Sequence, residues 1–254
     1  MTRPDGIHHL ALSTKDMKAQ LQFFTDVIGM ELVALFWMHG VEGAWHAFLR
    51  FNGRSFLSFV YMPEMERIAA VPGVTHALHQ GAPSAGGSMQ HLALRVDSPD
   101  DVLAMRDRVR THGIQVFGQI EHGLCTSIYF AGPEGLNLEV ACQGAFEPDD
   151  WFDPEVVSRC GISEDELRRM RAPAPFARPK EPVPQPPTDP SKPRLGYPDK
   201  VYARMARYLY EDASRRSDGP CRRQRLSAPH SVSRNRRAAL LRSRSWLRIS
   251  DARP

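Results

Sequence analysis

Hydrophobic positions along this chain follow two spacings that alternate in blocks. From Leu136 to Ala141, apolar Leu136, Leu138 and Val140 alternate with Asn137, Glu139 and Ala141, the period of a half-buried β-strand. Strand-like runs rich in aromatic and aliphatic residues also occupy 6–13, 30–37, 44–51, 54–61, 115–119 and 125–130. Between the first two, Met17, Leu21, Phe24 and Ile28 fall on one helical face, with Asp16 suited to the N-cap and Gly29 to the stop. Asn52-Gly53 predicts a hairpin turn between the third and fourth runs. The order over residues 6–61 is therefore β-α-β-β-β.

That order returns. His91-Leu92-Ala93-Leu94 repeats His9-Leu10-Ala11-Leu12 after 82 residues. Ser98, Pro99 and Asp101 predict a capped helix start, Val102, Met105 and Val109 its buried face, and Gly113 its end. Three strand-like runs follow, the last two joined by a turn containing Gly132, Pro133 and Gly135. An internal repeat of this kind identifies two copies of one supersecondary unit. Glu139 then needs explaining, because a carboxylate mid-strand is costly to bury without a compensating charge.

The segment around Glu139 resembles the signature of extradiol ring-cleavage dioxygenases. The matching positions are His122, Ile128, Tyr129, Pro133, Gly135 and Glu139; Gly132 departs, standing where that family has a small polar or acidic residue. These enzymes belong to the vicinal-oxygen-chelate superfamily (glyoxalase, bleomycin resistance, extradiol dioxygenase). The resemblance covers about residues 6–144. It implies an α+β fold of paired βαβββ modules around a metal-binding cleft. Many members carry four modules, whereas this chain has two.

Within that resemblance the repeat selects ligands. His9 and His91 occupy equivalent places, while the rival His8 corresponds to Gln90 and would point to the opposite strand face. Glu139 supplies a carboxylate, and Ser58 stands near its first-module counterpart. Glyoxalase-like members use a glutamate from each module; His9, His91 and Glu139 instead make the facial triad of non-haem Fe(II) oxygenases, with Mn(II), Zn(II) or Ni(II) as alternatives. The resemblance further implies that His76, in preference to His79, moves a substrate proton, and that His122 and Tyr129 hydrogen-bond the bound diol and its oxygenated product. The implied reaction is Fe(II)-dependent cleavage of a catechol-type diol with incorporation of both atoms of O2. Two other readings remain: a non-redox lyase, epimerase or transferase on the same scaffold, and a protein that sequesters an aromatic ligand. Phe36, Trp37, Trp45, Phe48, Phe59 and Tyr61 suit either the core or a cleft for a flat ring; His39 and His46 have no assigned role.

The remaining features place these modules in a larger frame. Modules at 6–67 and 89–144 flank a Gly/Ala/Ser/His-rich connection at 68–88; a helical and proline-rich arm follows at 145–212 and an Arg/Ser-rich tail at 213–254. Helices are expected from Asp153-Pro154 to Gly161, from Ser163 to about Arg171, and at Val201–Tyr210. The arm, extended from Pro173 to Pro198, is expected to lie on the body or on a neighbouring subunit. The net charge of +4 misleads, because the tail holds twelve arginines against two aspartates and leaves the body at about −6. That balance gives the body no reason to bind nucleic acid, and the tail's composition is that of a disordered segment. Cys125, Cys142, Cys160 and Cys221 lack metal or redox spacing and are expected to be reduced thiols. With no signal pattern or membrane-length apolar stretch, the expected setting is cytoplasmic, as a homodimer meeting a small aromatic diol and O2.

Overall fold

Strand β1 (His9–Ser13) turns Leu10 and Leu12 toward the core and leaves His9, Ala11 and Ser13 on its outer face. The chain then enters α1 (Met17–Gln22), capped by the Asp16 carboxylate accepting from the Ala19 N–H at 2.9 Å. A π-helical turn over Phe23–Val27 continues it and buries both Phe24 and Val27. Gly29, at φ +88°, reverses the chain where a Cβ would be strained. The computed structural model describes residues 3–38, 41–147, 151–187 and 189–202.

β2 (Glu31–Trp37), β3 (Trp45–Arg50) and β4 (Phe56–Tyr61) complete a first sheet of order β1-β4-β3-β2. β5 (Leu92–Arg95), α2 (Pro99–Thr111), β6 (Phe117–Glu121), β7 (Cys125–Ala131) and β8 (Asn137–Gln143) repeat it in the order β5-β8-β7-β6. Each sheet is mixed: β1 pairs parallel to β4 and β5 parallel to β8, and the other pairs are antiparallel. This is the paired βαβββ, α+β architecture that the repeat predicts. β6 begins two residues later than its apolar run, because Ile114 and Val116 pack against the core first and the pairing is then shifted between Gly118 and Ile120.

The inner faces of both sheets share one core. Phe24, Leu49, Leu57 and Phe59 of the first module join Val102, Val109, Ile128, Leu138 and Val140 of the second. Among the aromatic residues, Phe59 is core and Trp45 and Tyr61 stack against each other at 3.9 Å beside it. Phe36 and Phe48 lie on the outer face instead.

Two polar contacts fasten the modules. Arg108 Nε on α2 donates to the Val27 carbonyl at 2.7 Å. Glu134, in the turn Pro133–Gly135 with φ 56°, accepts from Thr14 Oγ1 at 2.5 Å, the Lys15 N–H at 2.7 Å and Gln20 Nε2 at 2.8 Å. Burial opposes ionisation of this carboxyl, but the hydrogen bonds outweigh it and hold its pKa below the ordinary glutamate value.

Beyond the modules, α3 (Pro154–Arg159) and α4 (Glu164–Arg171) form where Asp153 and the Ser163–Glu166 capping box predict them. The chain divides after Arg178. In the second unit, the proline-rich segment has no regular structure apart from a helical turn at 199–202, where Tyr202 Oη donates to the Leu195 carbonyl at 2.6 Å. The rest of the helix expected to Tyr210 and the tail from 213 lie outside the described residues. Cys125, Cys142 and Cys160 are free, and Cys221 lies outside the described residues. No helix among the described residues is long and apolar enough to cross a membrane.

The Glu134 contact yields a stability prediction. Glu134→Ala is expected to cost about 1–2 kcal/mol near neutral pH, for charged hydrogen bonds that are partly water-screened. Because the folded-state carboxyl titrates below the unfolded one, its contribution is complete above the ordinary glutamate range. It is lost as pH falls through the folded-state value. Urea unfolding of wild type and variant is therefore expected to show a gap at about pH 7 that narrows as pH falls below the ordinary glutamate range.

Candidate metal centre

Register positions the carboxylate. Ala93 of β5 pairs with Glu139 of β8, and Tyr129 of β7 pairs with Glu139 from the other side. Ala93 lies two residues beyond His91, so His91, Glu139 and Tyr129 share the outer face of the second sheet. His91 Nε2 is 3.0 Å from Glu139 Oε2. Glu139 is only 5% exposed.

The surrounding amides decide which imidazole nitrogen carries the proton. Gln90 Nε2 donates to the Gln80 carbonyl at 2.7 Å, which turns Gln90 Oε1 toward His91 Nδ1. An amide oxygen only accepts, so Nδ1 carries a proton, and in the neutral ring Nε2 then presents its lone pair to the carboxylate. Two lone-pair atoms at that separation need a proton or a cation between them. Imidazole with carboxylate is a donor pair that borderline divalent metals accept, and an oriented Nδ1–H is how ligand histidines are commonly fixed. In chemistry and orientation this pair fits a metal.

His122 Nε2 and Tyr129 Oη are 2.7 Å apart. Burial, reinforced by the Glu139 charge, pushes the Tyr129 hydroxyl above the ordinary tyrosine pKa despite an opposing Ser127 contact, so it stays protonated and able to donate. Both side chains line a cleft of about 810 Å³ together with His79, Phe117, Ile120 and Asn137. His76 lies elsewhere. It bonds Thr75 Oγ1, abuts Gly135 and lines a smaller crevice with Ser13, Thr14 and Glu134. Of the two loop histidines, His79 shares the cleft with His122 and Tyr129.

His9 stands apart from this group. It lies exposed on the outer face of the first sheet, 5.5 Å from the Phe48 ring, with its Nδ1 3.0 Å from His8 Nδ1. Among the described residues no three histidine, cysteine or acidic side chains gather where they could hold an ion. One chain therefore assembles His91 and Glu139 but not His9 with them.

The first sheet nevertheless preserves the second sheet's frame. Ala11 pairs with Ser58, and Ser58 with Phe48, so Ser58 and Phe48 take the places of Glu139 and Tyr129. Ser58 is wholly buried and, among the described residues, its Oγ has no hydrogen-bond partner. On the same face His46, unassigned from sequence, stacks with Phe36 and Phe48, each 5.9 Å away at 14°. Its Nδ1 is buried without a partner among the described residues, and burial with the nearby His9 lowers its pKa. The two-residue spacing of His46 and Phe48 was the available signal for their shared face. His39 lies outside the described residues.

Residues 6–140 match the family described as the Glyoxalase/Bleomycin resistance protein/Dioxygenase superfamily. Among curated relatives, "Biphenyl-2,3-diol 1,2-dioxygenase 2" of Rhodococcus globerulus is 27% identical over 59% of this chain and 69% of its own length. "Iron-dependent extradiol dioxygenase" of Rhodococcus jostii (strain RHA1) is 28% identical over 61% of this chain, a match spanning about half, 49%, of that protein. Among solved structures, a glyoxylase/bleomycin resistance protein/dioxygenase domain from Frankia sp. EAN1pec superimposes with TM-score 0.44 at 13% identity, covering 56% of this chain and 99% of its own.

The buried hydroxyl gives a direct test of these electrostatics. The phenolate signal lost in Tyr129→Phe is expected to titrate above the ordinary tyrosine value in wild type and at lower pH in Glu139→Gln, followed by ultraviolet absorbance.

Proposed function

The chain belongs to the Glyoxalase/Bleomycin resistance protein/Dioxygenase superfamily, and from that membership we propose that it is an Fe(II)-dependent extradiol dioxygenase that opens a catechol-type ring. The observation that carries this reading is the His122–Tyr129 hydrogen bond beside the His91–Glu139 pair. Epimerisation, isomerisation or thiol transfer on this scaffold does not require that pair. The names of the two Rhodococcus relatives support the same reaction class. His91 and Glu139 would hold the iron, with His9 the third ligand that the family resemblance implies although it stands apart from them within one chain; iron when bound would supply the redox chemistry that makes O2 reactive toward a ring and would lower the pKa of the diol.

The chain's own side chains do the rest. Tyr129 Oη, kept protonated, donates to anionic oxygen on the substrate, and His122 Nε2 beside it holds or returns that proton. The proton leaving the diol goes to an imidazole of the connecting loop. His76 is implied by the family resemblance, while His79 is the one that the cleft contains. Phe117 and Ile120 offer apolar surface to the ring, and Phe117 is left 70% exposed for it.

Anaerobic purification with Fe(II) reconstitution, followed by O2 uptake against a panel of catechols, tests the proposal. Expected are one O2 consumed per diol and a yellow ring-opened product. His122→Ala and Tyr129→Phe are each expected to lower kcat about 100-fold with iron content unchanged. Metal-loaded protein that consumes no O2 with any diol would remove the dioxygenase reading. Comparing His76→Ala with His79→Ala identifies the proton acceptor: the variant that lowers kcat more, with iron content unchanged, has lost it.

A further inference from the structure

We infer that Gln90 is a positioning residue that ties the placement of His79 in the cleft to the metal at His91, so that filling the metal site tightens the loop carrying His79. This rests on the reading of His91 and Glu139 as ligands. It goes further by making the connecting loop answer to metal occupancy.

The two ends of one side chain carry the coupling. Gln90 Oε1 faces His91 Nδ1. Gln90 Nε2 meets the carbonyl of Gln80 at 2.7 Å and those of His79 and Ala82 at 3.3 Å each. Carbonyl oxygens gathered at one point repel one another unless a donor stands among them, and the amide nitrogen is that donor. The 79–82 turn therefore curls around the Gln90 amide. The same turn holds the imidazole: the Gly81 N–H donates to His79 Nδ1 at 3.2 Å, and the Ala82 N–H to the His79 carbonyl at 2.9 Å. Glutamate at position 90 would accept without donating, lysine would donate without accepting, and asparagine is one methylene shorter.

Three amides close a ring around this contact. Gln80 Nε2 donates to Asn137 Oδ1 at 2.8 Å, and Asn137 Nδ2 donates to the Gln90 carbonyl at 3.2 Å. Asn137 is buried two residues before Glu139, on the same face of β8. Turning the Gln90 amide over would set its oxygen against the loop carbonyls, so the loop fixes the amide and the amide fixes His91. Such a constraint acts in both directions. A cation on His91 Nε2 keeps Nδ1–H pointed at Gln90 Oε1, which holds the far end of the same amide in the turn. His79 lines the cleft with His122 and Tyr129, so that turn decides where its imidazole meets a substrate.

Full-length wild type, Gln90→Met and Gln90→Glu are compared by Co(II) titration and by hydrogen exchange of the Gly81 and Ala82 amides with and without Co(II). Methionine removes both ends of the amide; glutamate keeps the acceptor and removes the donor. In wild type, saturating Co(II) is expected to slow exchange of both amides about tenfold. Gln90→Met is expected to bind Co(II) at least about tenfold more weakly and to show no slowing when saturated. Gln90→Glu is expected to bind Co(II) within about threefold of wild type and still to show no slowing. Amides of α2 are expected to exchange alike in all three proteins, which a general loss of stability would not give. If Gln90→Met does not fold, Gln90→Glu carries the test by itself. Wild type that binds Co(II) with unchanged loop exchange, or variants that keep the slowing, would overturn the coupling and leave the ligand reading standing. Wild type that binds neither Co(II) nor Fe(II) would overturn the ligand reading, and the coupling with it.

Discussion

A carboxylate sealed into the middle of β8 is the constraint on which the second module depends. Removing an ionised group from water costs several kcal/mol unless positive charge accompanies it, and the partner that Glu139 meets is an imidazole whose proton is directed elsewhere. The surroundings preserve that arrangement. Asn137 donates to the Gln90 carbonyl at 3.2 Å and accepts from Gln80 at 2.8 Å; Gln80 in turn fixes the Gln90 amide that orients His91. A continuous polar path thus ties the connecting loop to the strand carrying the acid. Such a network is costly when half satisfied and rigid when complete, so the orientation of His91 toward Glu139 is set by the fold.

Comparing the modules shows what divergence has done to a common frame. The same registers deliver His9, Ser58 and Phe48 in one and His91, Glu139 and Tyr129 in the other. Both keep the imidazole; only the second keeps an acid and a hydroxyl beside it. A neutral serine is a poor substitute for a carboxylate, so only the second module pairs its imidazole with an acid.

The elements and their repetition were legible in the sequence because both rest on periodicity, and periodicity is imposed by burial on one face. The strand of His9, the α1 face through Phe24 and the caps at Asp16, Ser98 and Ser163 are all local patterns. The extra residue of the π-helical turn at Phe23–Val27 and the late start of β6 were not legible, since each is settled by packing against the other module. The Glu139 correspondence to Ser58, approximate in the sequence, is a register fact in the structure. Position in the loop failed differently. His76 and His79 are three residues apart in a stretch without periodicity, and only the fold shows that His79 reaches the cleft beside Tyr129. Equivalence of His9 and His91 was readable from the repeat, but a repeat says that two residues occupy like places, not that they meet.

That distinction follows from how the modules are joined. Two half-sheets can bury their apolar faces against a common core or turn their polar faces toward a common ligand, and one chain of this length does the first. Phe24, Leu57, Phe59, Val102, Leu138 and Val140 commit the inner faces to each other, while Glu134 locks the β7–β8 turn to the start of α1. The outer faces are left uncovered, with His9 on one and His91 beside Glu139 on the other. The shared core is in this way assigned to one side of the strands and the His91–Glu139 pair to the other.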